Sequence, residues 1–348
     1  MSPYEENFED LYDDTLNYSD GMNSSADYSP EEPEIEQIMS VTLSLIIYAL
    51  AFLLGVPGNV AVIWVTGFKM KRSVNTVCFL NLAVADLTYC LILPFQMANV
   101  ALRHVWPTDD VLCKLIPTTT VLNMSASVFL LTLISIDRCL AVTRPIWSQT
   151  HRSLPWVRAA CFGVWGLAFL MCLPTLLIRK VVTHPDLGLS FCYVNYSGTY
   201  FGERTKAVVE ITRSLLAFAL PFLIMAFCYL LIGCKLQRSK FAKSKKTIRL
   251  IAVVVGAFFV CWLPYHACGL AQAFTSSPAA LVWDSVAVGL GSLNSALNPL
   301  LYMFAGRNFR QVFRRSLTAS LLLAFTEEPT DSVCTTRVKT ACSVEDSV

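Results

Sequence analysis

The chain has few charged residues for its length. Of its 348 residues, 15% are Asp, Glu, Lys or Arg, whereas 55% are hydrophobic, and the mean hydropathy is +0.53. A soluble globular domain carries roughly a quarter of charged residues, because its surface must be hydrated. The shortage excludes an ordinary water-soluble domain and favours a chain whose outer surface faces lipid.

Positive charge is missing from the first 38 residues, which contain no lysine or arginine. They also lack an apolar run, so they cannot be a cleaved signal peptide, and the first apolar helix is expected to direct insertion. Twelve of the 25 acidic residues lie here instead. Such a segment cannot bury enough apolar surface to fold alone. We therefore expect residues 1–38 to form a disordered, acidic tail.

Catalytic and metal-binding patterns are also missing. The four histidines are scattered, and neither HExxH nor GxSxG occurs, so an enzyme is not expected. No CxxC pair occurs, and most of the thirteen cysteines lie in apolar runs, where they behave as small apolar residues. No internal repeat is found, which argues against an inverted-repeat transporter. No nucleic-acid partner is expected.

Long apolar runs dominate the rest of the chain. A helix needs about 20 mostly apolar residues to cross the hydrocarbon core of a bilayer. A helix also satisfies its own backbone hydrogen bonds in lipid. The sequence predicts one all-α bundle over residues 39–305, with spans at 39–66, 74–101, 111–143, 156–178, 205–237, 244–272 and 281–305.

The orientation of the bundle follows from the positions of lysine and arginine. These residues concentrate in the short loops after the first, third and fifth spans and after the seventh. Loops rich in Lys and Arg stay in the cytosol. The acidic N-terminus is therefore extracellular, and the chain is predicted to be a multi-pass protein of the plasma membrane.

Two further features agree with this orientation. Cys113 and Cys192 are the two cysteines clearly on the oxidising side, so we predict that they form a disulfide. An Asn-X-Ser pattern at Asn123 lies inside a span and is rejected as a glycosylation site. The glycosylation acceptors on the predicted outer side are Asn17, Asn23 and Asn195.

One acidic residue, Asp86, lies in the middle of the second span. Ionisable residues inside a membrane are costly and usually functional. Side-chain oxygens around one carboxylate suit a hard monovalent cation such as sodium, although a polar network filled with water would use the same residues. Partners available on other spans are Asn59, Asn123, Ser127, Asn294 and Asn298.

Three further features suggest a switch, each weak alone. Asp137 and Arg138 end the third span, where charged residues also occur simply because they reach the interface. Pro264 follows Trp262 in the sixth span, and Pro299 lies in the seventh. A proline removes a backbone donor and bends a helix, so both are candidate hinges.

Taken in order, these motifs resemble the rhodopsin-like G-protein-coupled receptors over about residues 40–317. The fold implied is an all-α membrane protein, a seven-transmembrane bundle with a short amphipathic eighth helix. Cys139 departs from the family, which usually has tyrosine there. The motifs are Gly58-Asn59, Leu82 to Asp86, Asp137-Arg138, Trp165, Pro221 with Tyr229, Cys261-Trp262-Leu263-Pro264 and Asn298-Pro299-Leu300-Leu301-Tyr302.

The resemblance implies roles for these residues. Arg138 would enter the G-protein interface, Tyr229 and Tyr302 would stabilise the open state, and Trp262 would sense ligand. Ser244 stands where some relatives have an acid that latches the arginine, so closure must use other contacts. No cofactor is required, but a sodium ion is expected as an allosteric ligand on Asp86, Asn123, Ser127, Asn294 and Asn298.

The ligand class can be narrowed further. Thr120 stands where amine receptors need an acid, and Ser292 where opsins need a lysine. Four further runs narrow it most: Cys113 to Pro117, Val121 to Leu140, Phe241 to Ser244 and Trp283-Asp284. In these runs the chain is most similar to the anaphylatoxin chemotactic receptors of complement, above all to the receptor for the third-component fragment. Its short outer connection at 179–204 departs from that receptor. A fifth-component or chemerin-like ligand stays open, as does a scavenger receptor that binds without signalling.

Anaphylatoxins are cationic proteins that end in arginine, and the resemblance implies residues that would hold this end. Asp284 would bind the guanidinium and Arg213 the carboxylate, with Arg179 and Tyr265 also in the pocket. Arg213 could instead pair with Glu210, three residues earlier on its own helix.

Both tails are predicted to bind partners. The acidic N-terminal tail would attract a basic ligand, unless it merely keeps the chain soluble. Residues 306–318 form a predicted amphipathic helix on the inner leaflet, and 319–348 a disordered Ser/Thr-rich tail for a receptor kinase and arrestin. The tyrosines near acids, which are candidate sulfation sites, are Tyr4, Tyr12, Tyr18 and Tyr28.

Overall fold

The computed structural model shows an α-helical bundle and divides into two units, residues 1–39 and 40–348. In the first unit only 32–39 are described, and they are helical. The described backbone comprises residues 32–102, 110–183, 190–194, 203–237, 242–275, 277–305, 311–315 and 318. Side chains are described for these residues except 32–34, 193–194, 203, 236–237, 242–251 and 301–305.

Long helices account for most of the described chain, which confirms the predicted all-α class. A π-helical turn, Val65–Lys69, extends the first long helix, and another, Leu215–Ala219, interrupts the fifth. Short helices cover Pro145–His151 and Pro278–Val282. The long helices are α1 (Glu32–Trp64), α2 (Val74–Ala101), α3 (Asp110–Thr143), α4 (Leu154–Ile178), α5 (Glu203–Ser214 and Leu220–Gln237), α6 (Ala242–Phe274) and α7 (Asp284–Ala305).

The length and composition of these helices fit a bilayer. Within the described chain, the six helices α1 to α6 are each long and apolar enough to cross it. The seventh, α7, has 22 residues, and about 20 suffice for a span.

Two helices begin three or more residues away from their predicted starts. The first helix begins at Glu32, not at residue 39. The first turn of this helix contains glutamates. Negative side chains near a helix N-terminus are stabilised by the positive end of the helix dipole. The predicted start of the seventh span at 281 lies inside the short helix Pro278–Val282, and α7 itself begins at Asp284. Pro278 stands at the start of that short helix, where a missing N–H costs nothing.

The distribution of polar residues is inverted relative to a soluble protein. Large apolar side chains point outward, such as Phe162 at 82% and Val260 at 73% exposed, whereas Asp86 and Asn294 are fully buried. In its most apolar stretch α3 is 72% buried and α4 only 22%. The third helix is therefore central, and lipid must cover the outward-facing apolar surface.

A two-stranded hairpin lies against the outer end of α3. Strands β1 (Arg179–Thr183) and β2 (Ser190–Val194) are antiparallel, with Cys192 opposite Val181. Cys192 forms a disulfide with Cys113 of α3, which confirms the predicted pairing. The carboxylate of Asp110 also accepts a hydrogen bond from the Val181 N–H at 3.0 Å. The hairpin is thus attached to α3 at two points.

Candidate functional site

Arg213 lies in the outer half of α5, on the side that faces α6. Its guanidinium donates to the carboxylate of Glu210, and the two side chains are only 12% and 13% exposed. The guanidinium carbon lies 4.9 Å from the centre of the Tyr265 ring on α6, a cation–π contact. Of the two alternatives left open by the sequence, the structure shows the internal pair.

Asp284 is the first residue of α7 and is half-buried. Its Oδ1 accepts a hydrogen bond from Nε2 of Gln272 on α6 at 3.0 Å. A carboxylate at this position is also favoured by the positive end of the helix dipole. The guanidinium groups of Arg179 and Arg213 are near enough to attract it. The structure therefore brings the four predicted ligand residues to one end of the bundle.

Arg179 links this region to the hairpin. It is the first residue of β1, directly after α4 ends at Ile178. Its Nη1 lies 4.0 Å from the sulfur of Cys192, so it stands beside the disulfide. The position of its charge depends on the attachment of the hairpin to α3.

Asp86 of α2 is fully buried in the middle of the bundle and accepts hydrogen bonds from two other helices. Asn123 Nδ2 and Ser127 Oγ of α3 donate to Oδ1 at 3.1 and 3.5 Å. From α7, Ser295 Oγ donates to Oδ1 at 2.9 Å and Asn298 Nδ2 to Oδ2 at 2.8 Å. Ser295 is not among the residues predicted for this site, although its neighbour Asn294 is.

Whether a cation would fit beside Asp86 depends on the other amide side chains predicted for this site. Both side-chain atoms of Asn294, and Oδ1 of Asn298, are buried without a hydrogen-bond partner in the described part of the chain. Asn59 donates to the carbonyls of Gly55 and Ser295 and so joins α1 to α7. No lysine or arginine among the described residues forms an ion pair with Asp86. A buried anion, together with the partnerless amide oxygens of Asn294 and Asn298, fits a small hard cation.

Trp262 of α6 is fully buried, one turn inward from the predicted ligand residue Tyr265. Its ring packs edge-on against Tyr265, with centroids 5.5 Å apart. On the other side it lies against α7, where a Cβ at position 291 would come within 2.7 Å of the ring. Gly291 therefore makes room for the indole. Trp262 is in direct contact with a predicted ligand residue, and Pro264 follows it within the same helix.

The inner end of α3 carries an ion cluster. Arg138 donates to Asp137 through Nε at 3.0 Å and also through Nη2. Arg152, in the connection to α4, binds the same carboxylate with two hydrogen bonds of 2.7 and 2.9 Å. Arg152 belongs to the cytosolic Lys and Arg residues, and nothing in the sequence links it to Asp137.

The remaining switch residues lie nearby or outside the described side chains. Tyr229 packs against a cluster that contains Cys139, Cys228 and Ile232. Pro299 lies within α7 and packs against α1 at Gly58, where a Cβ would be 2.9 Å away from the proline ring. The side chains of Ser244 and Tyr302 are not among those described.

Several predicted sites fall outside the described residues and stay predictions. Of the predicted amphipathic helix, only 311–315 and 318 are described. There Val312 and Phe313 pack against the core, whereas Arg314 and Arg315 are exposed. The tail beyond 318 is not described. The undescribed glycosylation and sulfation sites are Asn17, Asn23, Asn195, Tyr4, Tyr12, Tyr18 and Tyr28.

Comparison with known proteins decides the family. The profile described as 7 transmembrane receptor (rhodopsin family) matches residues 58–302. The chain belongs to this family. The receptor is thus a multi-pass plasma-membrane protein and not an enzyme, and the predicted resemblance is confirmed.

Individual relatives place the receptor among the chemotactic receptors. It is 42% identical over 293 residues to the C3a anaphylatoxin chemotactic receptor of Oncorhynchus mykiss, which covers 83% of this chain and 80% of the relative. It is 36% identical over 340 residues to N-formyl peptide receptor 3 of Homo sapiens, covering 93% and 95%. It is 40% identical over 293 residues to C5a anaphylatoxin chemotactic receptor 1 of Gorilla gorilla gorilla, covering 82% of each.

Proposed function

We propose that this receptor binds a complement anaphylatoxin, preferentially the third-component fragment, and activates an inhibitory-type G protein, which leads to calcium release and chemotaxis. The 42% identity to a C3a anaphylatoxin chemotactic receptor supports the ligand class. The observation that carries the proposal is a pair of opposite charges, Arg213 and Asp284, held half-buried on the outer side of the bundle by two helices, α5 and α7, that both pack against α6.

The two charges match the two charges of a terminal arginine. Arg213 would bind the ligand's carboxylate, since a guanidinium can donate two parallel hydrogen bonds to it. Asp284 would bind the ligand's guanidinium. Tyr265 already stacks beneath Arg213 and would hold it in place, and Arg179 would add positive charge at the hairpin. The acidic N-terminal tail would raise the rate of encounter with a cationic ligand.

We further propose that sodium is an allosteric ligand of the resting state. Bound sodium supplies a positive charge to the buried Asp86 carboxylate. The hydroxyls of Ser127 and Ser295 reach that carboxylate from two helices, and the partnerless amide of Asn294 lies one residue before Ser295. The residues that would hold the ion are Asp86, Asn123, Ser127, Asn294, Ser295 and Asn298.

On the cytosolic side, Asp137 would keep Arg138 away from the G protein. The carboxylate of Asp137 binds both Arg138 and Arg152, so the resting arrangement lies within α3 and the connection that follows it. Activation would require Arg138 to leave this carboxylate as α6 moves outward. Phosphorylation of the C-terminal tail by a receptor kinase would then create acidic patches for arrestin.

The decisive test is calcium release in cells that express the full chain. Third- and fifth-component anaphylatoxins are compared, each with and without the terminal arginine. We expect that removing this arginine, or replacing Asp284→Asn, lowers potency more than tenfold, because a desolvated charge-assisted hydrogen bond is worth about 1.5–3 kcal/mol. Glu36→Gln is the matched control, because this carboxylate in the first turns of α1 is exposed and has no part in the proposed pocket. Unchanged potency after both changes would contradict the ligand assignment.

Two alternatives are separated by the same reagents. A fifth-component ligand is favoured by the relative that is 40% identical, and it predicts a higher potency of that fragment. A scavenger receptor would bind anaphylatoxin without signalling. Nucleotide exchange on purified receptor with G protein, with and without anaphylatoxin, distinguishes a signalling receptor from such a scavenger.

A further inference from the structure

Glu210 occupies the guanidinium on which the proposed ligand's carboxylate would bind. It lies three residues before Arg213, so both side chains leave α5 on the same face. Its Oε2 accepts a hydrogen bond from Nη2 of Arg213, and only 13% of the Glu210 side chain is exposed. A carboxylate of the receptor itself is therefore already present where a carboxylate of the ligand is expected.

The space for this carboxylate exists because residue 269 of α6 is glycine. A Cβ built on Gly269 would lie 2.6 Å from Oε2 and 3.4 Å from Cδ of Glu210. Any other residue at this position would force the Glu210 carboxylate to move. Tyr265 lies four residues earlier on the same helix and supports the guanidinium. One face of α6 thus contacts both members of the pair, Glu210 at Gly269 and Arg213 at Tyr265.

We propose that Glu210 is an internal competitor for the C-terminal carboxylate of the ligand and that, with Gly269, it determines how strongly a free carboxylate is preferred over an amide. The proposal rests on the proposed function, in which Arg213 binds that carboxylate. Two carboxylates on one guanidinium repel each other in a partly buried site. A ligand that ends in a carboxylate must therefore displace Glu210, whereas a ligand that ends in an amide need not.

The internal pair also explains how Arg213 is tolerated without ligand. A partly buried guanidinium without an anion is costly, and removing one member of such a pair leaves an uncompensated charge. Glu210 supplies the anion in the free receptor. With Glu210 present, the receptor therefore prefers a free acid over an amide less strongly than it would with Arg213 alone.

The test is competition binding to membranes of cells that express the full chain. The probes are one C-terminal anaphylatoxin peptide made as the free acid and as the amide. We expect Glu210→Gln to raise the ratio of acid to amide affinity about tenfold, which is about 1.4 kcal/mol. Both probes carry the same arginine side chain, so any contact of Glu210 with that side chain cancels in the ratio.

Gly269→Ala provides a second route to the same result. The added methyl group would displace the Glu210 carboxylate and so raise the same ratio. Gly256→Ala on the same helix is the matched control, because a Cβ there would meet no heavy atom within 4 Å. The effects of Glu210→Gln and Gly269→Ala should not add in the double variant, because both remove the same competitor.

The outcomes separate this inference from the proposed function. If Arg213→Met lowers the ratio but Glu210→Gln and Gly269→Ala leave it unchanged, the competitor is refuted and the ligand assignment survives. If Arg213→Met itself leaves the ratio unchanged, both fail. If Glu210→Gln does not reach the cell surface, the comparison of Gly269→Ala with Gly256→Ala decides.

Discussion

At the scale of single residues, the bundle is organised around carboxylates that the membrane would otherwise exclude. Asp86 is fully buried and accepts hydrogen bonds from four side chains on two neighbouring helices. Glu210 and Asp137 each bind an arginine close to them in the chain. Buried charges of this kind are kept only where a partner compensates them. In the proposed function, each of these carboxylates is a point at which the bound ion, the ligand or the G protein would act.

Replacing Asp86→Asn should abolish the effect of sodium on agonist binding. The amide keeps the size of the side chain but removes the negative charge that a cation requires. We expect that sodium chloride lowers agonist affinity in the original receptor, relative to potassium chloride at the same concentration, and has no effect in the variant. The measurement is agonist competition binding in both salts.

Ser295→Ala is the companion variant for this prediction. It removes one hydroxyl but leaves the carboxylate, so part of the sodium effect should remain. A full sodium effect in Asp86→Asn would exclude this carboxylate as the site. No sodium effect in the original receptor would remove sodium from the proposed function.

At the scale of elements, the close approach of α6 and α7 connects the proposed ligand-binding end of the bundle to its interior. Trp262 fills the space that Gly291 leaves open and also contacts Tyr265. A movement of Tyr265 would therefore displace Trp262, and the displaced Trp262 would press on α7. Trp262 and Gly291 are so close that an additional atom at position 291 would force the indole ring or α7 to move.

Gly291→Ala should destabilise the receptor. The new Cβ would lie 2.7 Å from the Trp262 ring, which must move or be strained. Inserting a methyl group into a packed core costs about 1–3 kcal/mol. We expect a lower midpoint of thermal unfolding for receptor purified in detergent. Gly163→Ala on α4, where a Cβ would meet nothing within 4 Å, should leave the midpoint unchanged. Equal midpoints for the two variants would show that Trp262 is not confined by Gly291.

At the scale of the whole molecule, charge is separated across the membrane. Acidic residues fill the extracellular N-terminus, and lysine and arginine fill the cytosolic loops. The outward-facing apolar side chains between these regions match a bilayer. The receptor therefore presents opposite charges to its proposed partners on the two sides.

Removing residues 1–31 should slow the association of a cationic anaphylatoxin while leaving its dissociation nearly unchanged. The tail would act by long-range attraction, which salt screens with a Debye length of about 10 Å at 0.1 M. The measurement is association kinetics at low and high salt. A matched control replaces the tail's Asp and Glu by Asn and Gln at the same length. Equal association rates for the original, truncated and neutralised receptors at low salt would contradict the prediction.

Much of the fold was determined by the sequence alone. Apolar runs of about 20 residues can cross a bilayer only as helices, and lysine-rich loops set their direction. The pairing of Cys113 with Cys192 followed because they were the cysteines clearly placed on the oxidising side. These conclusions depend only on the composition of short stretches of the chain, which can be read directly from its sequence.

The contacts between helices were decided only by the tertiary structure. Asn294 and Ser295 are neighbours in the sequence, yet Ser295 binds Asp86 and Asn294 does not. Adjacent residues point about 100° apart on a helix, so the choice depends on how α7 is rotated against α2 and α3. The pairing of Arg152 with Asp137 likewise requires a chain reversal. Helix rotation and loop path result from packing of many side chains together, which no local pattern records.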